Sequence, residues 1–180
     1  MDMTFEEFDA LFDTFQISAF HLETHQTYAV SEEDERLRAF REGLPRPERS
    51  IRTSPWLRRI ALTTAVGKQW SRVHLIREPL SDYLRYQLIG YVESQAVGEE
   101  IRLASLDNRP ELAELGPDSW LFDAGTPGAS GVLLRFDPSG NPLGIAAVEQ
   151  GAVSEVERQR EVALRYSVSL ADYLISHTVA

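Results

Sequence analysis

The densest run of ligand-type side chains is His21-Leu22-Glu23-Thr24-His25. On an extended strand alternate residues share a face, so His21, Glu23 and His25 could meet one divalent cation as a two-histidine, one-carboxylate set. A solvated sheet face shows the same alternation, and this plainer reading is preferred. No metal and no cofactor is therefore expected, with His21, Glu23 and His25 kept as the weak metal candidate. His74, on another strand, could join that set or sit at the edge of the core.

A second constellation spans residues 72–85. Arg72, His74, Arg77, Glu78, Asp82, Tyr83 and Arg85 surround the end of one strand and the start of the next helix. Ligands of open sheets tend to bind beyond the carboxyl ends of strands. Arg72, Arg85 and Arg102 could hold an anion there, while Glu78, Asp82 or His74 handles protons. The competing reading is a capped helix with an ordinary Asp82–Arg85 pair, worth about 0.3–0.5 kcal/mol.

The other groups carry less chemistry. Glu99 and Glu100 with Arg102, and Asp118 with Asp123, read as solvated turn residues. Residues 125–131 are glycine-rich, but no lysine follows and a strand comes next, so a hairpin connection is expected rather than a phosphate loop. Ser130 lacks the strand-to-helix elbow of a hydrolase nucleophile. Trp120 and Phe122 fall on one face of a strand and read as core.

These residues need elements to position them. Thr4 and Glu7 have capping-box spacing before a helix with Phe5, Phe8, Leu11, Phe12 and Phe15 on its stripe. Residues 19–24 alternate as a strand, with Phe20 and Leu22 facing one way and His21 and Glu23 the other. Ser31 opens a second helix that ends at Gly43. Ser54-Pro55 starts a third, with Trp56, Leu57, Ile60, Ala61 and Thr64 on its stripe. A strand at 72–76, a helix to about Tyr91 and a short strand at 101–103 follow. Strands at 120–123, 132–136 and 143–148 and a helix over 152–166, resuming near Leu170, complete the order. The fold class implied is α/β (α+β), a single mixed β-sheet flanked by helices. Residues 1–180 read as one domain, with 43–54 a mobile surface linker between an N-terminal helix-strand-helix segment and the main α/β body.

Composition narrows the function. The chain has 180 residues and a formal net charge of −10, which opposes direct binding to nucleic acid or an anionic membrane. It has no cysteine, so disulfides, thiolate catalysis and Cys-ligated metals are excluded. No membrane-length apolar run is present and the acidic start does not read as a signal peptide, so a cytoplasmic protein is expected.

Taken in order, Phe20-His21-Leu22-Glu23, Arg72-Val73, Glu78-Pro79-Leu80-Ser81-Asp82-Tyr83-Leu84-Arg85, Gly98-Glu99-Glu100-Ile101-Arg102 and Trp120-Leu121-Phe122-Asp123 resemble an uncharacterised actinobacterial family, a domain of unknown function. Its members are single domains of about this length, often encoded beside small helix-turn-helix regulators. The resemblance covers nearly the whole chain. It implies no established activity, and arginine is common among its members where this chain has His21 and His25. It does imply a shared surface of Arg72, Glu78, Asp82, Tyr83, Arg85, Glu100, Arg102, Trp120 and Asp123. With His74, these form the candidate ligand cleft. The order of elements is also distantly similar to a phospholipase-D-like half-domain. That chemistry needs a His-x-Lys pair, which this chain lacks; its one lysine is Lys68.

The expectation is a non-catalytic regulatory or ligand-binding module, accessory to a helix-turn-helix regulator that supplies the positive charge. The alternative is a small enzyme acting on an anionic small molecule through the Arg/carboxylate cleft. The third reading is a mononuclear metal protein.

Overall fold

Thr4 and Glu7 close the capping box: the Thr4 amide donates to Glu7 Oε2 (2.8 Å) and the Glu7 amide to Thr4 Oγ1 (3.2 Å). The carboxylate satisfies a donor that the first helical turn would otherwise leave open. In the computed structural model, which describes residues 1–107 and 109–178 (only the backbone of Glu32 and Thr178), fifteen elements follow. They are β1 (Asp2–Met3), α1 (Phe5–Thr14), β2 (Ser18–Glu23), α2 (Asp34–Arg41), α3 (Pro55–Thr64), β3 (Gln69–Ile76), α4 (Asp82–Gln95), β4 (Glu99–Ser105), α5 (Pro110–Ala113), β5 (Asp118–Phe122), β6 (Ser130–Phe136), β7 (Pro142–Ala147), α6 (Val153–Arg165), β8 (Val168–Ser169) and α7 (Leu170–Thr178). Short 3₁₀ turns at Ser31–Glu33 and Gln150–Ala152 lead into α2 and α6.

All eight strands join one mixed sheet in the order β1-β7-β6-β5-β2-β3-β4-β8. β2, β3 and β4 are parallel, and the remaining pairings are antiparallel. The fold is thus a mixed sheet flanked by helices, as the element order implies. Parallel crossovers share one hand, so the successive steps β2 to β3 and β3 to β4 place α3 and α4 over the same face.

Register decides what each face carries. On one face Phe20, Leu22, Val73, Leu75 and Leu121 pack under Val153, Val156 and Ala163 of α6. The other face is divided. Ala19, Trp70, Trp120 and Phe122 pack against Phe8 and Phe12 of α1 and Ile60 of α3. Ile101 and Leu103 pack against Leu84 and Tyr91 of α4 and Leu170 and Tyr173 of α7. Between these apolar areas lies a polar band, because His21 pairs with Arg72 and Glu23 with His74 across β2 and β3.

That band corrects one expectation. The His21/Glu23 face is not a solvated sheet face: His21 is 8% exposed and Glu23 6%. Helices from two crossovers cover it, so strand alternation here separates an apolar buried face from a polar buried one. The 43–54 segment has no helix or strand and lies at the surface. Arg49 fastens it to α4 through the Gly90 carbonyl (3.3 Å) and Glu93 Oε2 (3.3 Å). β2, from the N-terminal segment, lies between β5 and β3 in the middle of the sheet. Ser81 caps α4, its Oγ accepting from the Leu84 amide (3.1 Å), with Asp82 in the first turn. The two-residue edge strands and α5 are too short for periodicity to reveal.

The irregular stretch 24–30 crosses the carboxyl ends of β2 and β3. Gln26 ties it down, donating to the Leu75 carbonyl (2.8 Å) and accepting from the Arg77 amide (2.8 Å). From the other side the turn at 137–141 presses on it. Gly140 has φ +84°, and a Cβ there would lie 2.4 Å from the Thr27 carbonyl oxygen. Strain and overlap therefore add. Gly140→Ala is expected to destabilise the protein by about 1–3 kcal/mol, measured as a lower urea midpoint at unchanged slope; an unchanged midpoint would contradict this contact.

Candidate functional site

A cavity of about 710 Å³ opens over the carboxyl-terminal half of β2 and β3. Its floor is His21, Glu23, Arg72 and Asp118. Tyr83, Tyr86, Gln87, Gly90, Tyr91 and Ser94 of α4 form one wall. Glu33, Arg36, the 47–49 segment and Trp56 close the other side, and Tyr28 and Phe136 complete it. Residues 83, 87, 90, 91 and 94 recur at helical spacing, so α4 has two buried stripes: Leu84 and Leu88 toward the core and a tyrosine-rich one toward the cavity.

The floor is held by ionised groups in contact. Arg72 donates from Nη1 to Glu23 Oε2 (2.8 Å) and from Nε to Glu99 Oε1 (2.8 Å). Its guanidinium also lies 5.2 Å from the Tyr91 ring centre. Tyr91 donates its phenolic proton to Glu23 Oε2 (2.8 Å). His74 Nε2 donates to the His25 carbonyl (2.6 Å), an oxygen that can only accept. His74 Nδ1 lies 2.5 Å from Tyr91 Oη, so Tyr91 joins His74 to Glu23. Arg72 thus meets a carboxylate on either side of it, Glu23 from β2 and Glu99 from β4.

Burial pushes the Glu23 carboxyl up, but Arg72 and the two neighbouring histidines outweigh it and hold the group well below the usual range. Burial likewise opposes the Arg72 charge, and Glu23 and Glu99 more than restore it. His21 behaves differently. Burial presses its pKa down to about 3, because Glu23, with Oε1 3.9 Å from Nδ1, offsets only part of the desolvation. The ring stacks on Trp120 at 4.2 Å and 12°, and neither ring nitrogen has a hydrogen-bond partner. A neutral imidazole thus leaves one donor and one acceptor unpaired in a side chain that lines the cavity.

Asp118 has no exposed surface, which corrects its reading as a solvated turn residue. It accepts from the Thr24 amide (2.9 Å), Thr24 Oγ1 (2.6 Å) and the Tyr28 hydroxyl. Glu99, 1% exposed, is no turn residue either. Glu33 accepts from Tyr83 (3.1 Å) and Gln87 (3.0 Å). Burial raises the pKa of both Asp118 and Glu33. Arg36 and Arg49 both bind Glu93, at 2.7 and 3.3 Å.

The residues named from sequence fall in several places. Arg72 and Tyr83 line the cavity; His74 and Trp120 lie beneath it, supporting Tyr91 and His21. Glu78 bonds Tyr173 and faces His177 (3.4 Å) beside α7. Asp82 and Arg85 form an exposed pair on α4, the simple helix pair that the spacing offered. Glu100 and Arg102 lie 3.4 Å apart away from the cavity, and Arg102 Nε donates to Ser167 Oγ (2.8 Å). Asp123, at φ +53°, accepts from the amides of Gln16, Ile17 and Ser18, fixing the start of β2. These residues therefore do not converge on one cleft. His25 turns toward Tyr28 and Phe136 (ring centres 5.8 and 5.5 Å), away from His21 and Glu23. Among the described residues, no three His, Asp or Glu side chains are grouped to hold a metal.

Sequence reading missed Tyr28, Glu33, Arg36, Arg49, Tyr86, Gln87 and Ser94. One signal was present: α4 carries tyrosines and small polar residues where an ordinary surface helix would carry charge.

With this geometry in view, comparison with known families is direct. Residues 6–175 match the family described as Domain of unknown function (DUF6879), and the chain belongs to that family. No curated protein matches it. No helix among the described residues is long and apolar enough to cross a membrane.

Two outcomes follow from the floor. Arg72→Leu leaves Glu23 and Glu99 buried without their guanidinium and is expected to destabilise by about 3–5 kcal/mol in urea unfolding, with Glu23→Gln in the same chain restoring part of it. A loss below 1 kcal/mol, on the order of an exposed pair, would contradict the buried network. For His21, the unfolded ring takes up a proton near 6.5 and the native ring only near 3. Between those values the unfolded state holds more protons, so stability rises with pH there by up to about 1.4 kcal/mol per unit and is lost on acidification. Asp118 and Glu33 act in the opposite sense at the acid end but remain in a His21→Phe variant. The variant should therefore show a flatter stability–pH curve across this window; equal slopes would show that the native ring titrates normally.

Proposed function

We propose that this protein is a small-molecule-binding module whose ligand occupies the cavity over β2 and β3. The observation that carries the reading is His21. Two buried ring nitrogens without partners in a cavity of 710 Å³ are a standing expense to the fold, about 1–3 kcal/mol for each unsatisfied group. A bound ligand removes that penalty, and the cavity volume is in the range of small-molecule sites.

Recognition rather than turnover is favoured by the surroundings of the imidazole. Among the described residues no hydroxyl lies within hydrogen-bond reach of His21, so it has no nucleophile to activate. An enzyme acting on an anion through its arginines is less well supported, since Arg36, Arg49 and Arg72 are each bound to glutamates.

The finer picture is a cytoplasmic, actinobacterial regulatory module working with a helix-turn-helix protein. Its support is the sequence resemblance together with the net charge of −10, which leaves DNA contact to a basic partner. The phospholipase-D-like likeness is proposed for architecture alone, its support being the parallel strands followed by an antiparallel meander.

The test uses thermal shifts of the full chain against a library of small polar metabolites, with His21→Phe as the control. Phenylalanine keeps a ring over Trp120 and removes both nitrogens. The variant is expected to be more stable than the native chain by about 1 kcal/mol in urea and to lose the thermal response to any library hit. A library without hits, or a hit that shifts both proteins equally, would contradict the reading.

A further inference from the structure

Arg36 and Arg49 both line the cavity and share one carboxylate, Glu93. Arg36 takes it with both outer nitrogens, Nη1 to Oε2 (3.1 Å) and Nη2 to Oε1 (2.7 Å). Its Nε is buried without a partner, in a residue only 9% exposed. Arg49 makes every bond from Nη1, to the Gly90 carbonyl (3.3 Å), Glu93 Oε2 (3.3 Å) and Ser94 Oγ (3.5 Å). Among the described residues its Nε and Nη2 have no partner, so one edge of this guanidinium is open, on a side chain that keeps 20% exposure. Binding to Glu93 therefore exhausts neither arginine.

We propose that the ligand of this cavity carries an oxyanion, a carboxylate or a phosphate, received by the open Nε/Nη2 edge of Arg49 and by Arg36 Nε. This rests on the small-molecule reading above and adds the ligand's chemistry. The Nε and Nη2 donors of a guanidinium lie parallel and match two oxygens of such a group. An unpaired donor on a buried charged side chain is costly, and an oxygen acceptor removes that cost. Tyr86, 3% exposed, lies near enough to feel both guanidinium charges, and its hydroxyl supplies a further donor. An ammonium would meet these donors with nothing to accept them. The nearby carboxylates do not close the site to an anion. Glu33 is bonded to Tyr83 and Gln87 and is acted on by Arg49, and its burial favours the protonated form. Asp118 has no exposed surface, while Glu35 and Glu48 are open to solvent and screened by it. Trp56, Tyr28, Tyr83 and Phe136 line the same space and suit a flat aromatic body behind the anionic head.

The test is calorimetric titration of the full chain with four probes that share a naphthalene ring and differ in the head group. They are naphthalene-2-carboxylate, 2-naphthyl phosphate, naphthalene-2-carboxamide (neutral) and 2-naphthylmethylammonium (cation). The better of the two anions is expected to bind at least about tenfold more tightly than the amide, and the cation more weakly than the amide. Which anion leads distinguishes a carboxylate ligand from a phosphate. Arg49→Lys keeps a charge for Glu93 and removes the paired donor edge, so it should weaken that anion about tenfold and leave the amide unchanged. Its urea midpoint separates lost binding from lost fold, and the probe series on the native chain stands either way. Equal or tighter binding of the amide or the cation overturns the oxyanion proposal while leaving a small-molecule site in place, and so does a folded Arg49→Lys chain that binds the anion as tightly as before. Failure of all four probes also overturns it, and the small-molecule reading falls with it only if the metabolite library is blank.

Discussion

Ionised groups buried against a sheet have to neutralise one another, and in this protein that constraint organises one whole face. Glu23, Arg72 and His74 stand on two adjacent parallel strands, with Glu99 on the third. Each would be costly alone in a low-dielectric interior. In contact they offset one another, with Tyr91 hydrogen-bonded to both Glu23 and His74. The arrangement requires β2, β3 and β4 in this register, since a one-residue slip would turn every one of these groups into the apolar face under α6. Charge pairing and strand register therefore specify each other.

The cavity is a consequence of how this polar band is covered. Toward the amino ends of the strands the same face is filled by aromatic rings, with Phe12 in contact with Trp56, Trp70, Trp120 and Phe122. Toward the carboxyl ends, the helices and the 47–49 segment bring tyrosines and ion pairs that meet the band at its edges and leave a space at its centre. Trp120 holds the His21 ring from below at the boundary between the two regions. A rigid aromatic layer, a neutral imidazole on it and a paired Arg72 floor beside it would make the proposed binding surface a preformed one. Such preorganisation reduces the ordering entropy that binding would otherwise incur.

Much of the fold was legible in the sequence because its signals are local. The Thr4/Glu7 box, Ser54-Pro55 and the alternation of Phe20 and Leu22 each act over a few residues. The site was less legible because it is made by pairing across distance. His21 and Glu23 drew attention as a motif, but that Arg72 rather than His25 joins them depends on β2 lying beside β3. Asp118 looked like a turn residue since nothing nearby in sequence reveals that Thr24 and Tyr28 bind it. Asp82 and Arg85 looked promising for the opposite reason: proximity in sequence suggested a cleft where there is only an exposed helical pair. The 43–54 segment shows the same limit, its proline and charge content marking irregular backbone without telling that Arg49 anchors it to α4.

The protonation state of His21 is read directly by nitrogen-15 NMR of the imidazole. The prediction is a neutral ring throughout the range above its pKa of about 3, with both nitrogens shifting when a ligand is added. A ring that gains its proton near 6.5, the ordinary value for histidine, would show it to be solvated and would contradict a buried, unpartnered recognition group.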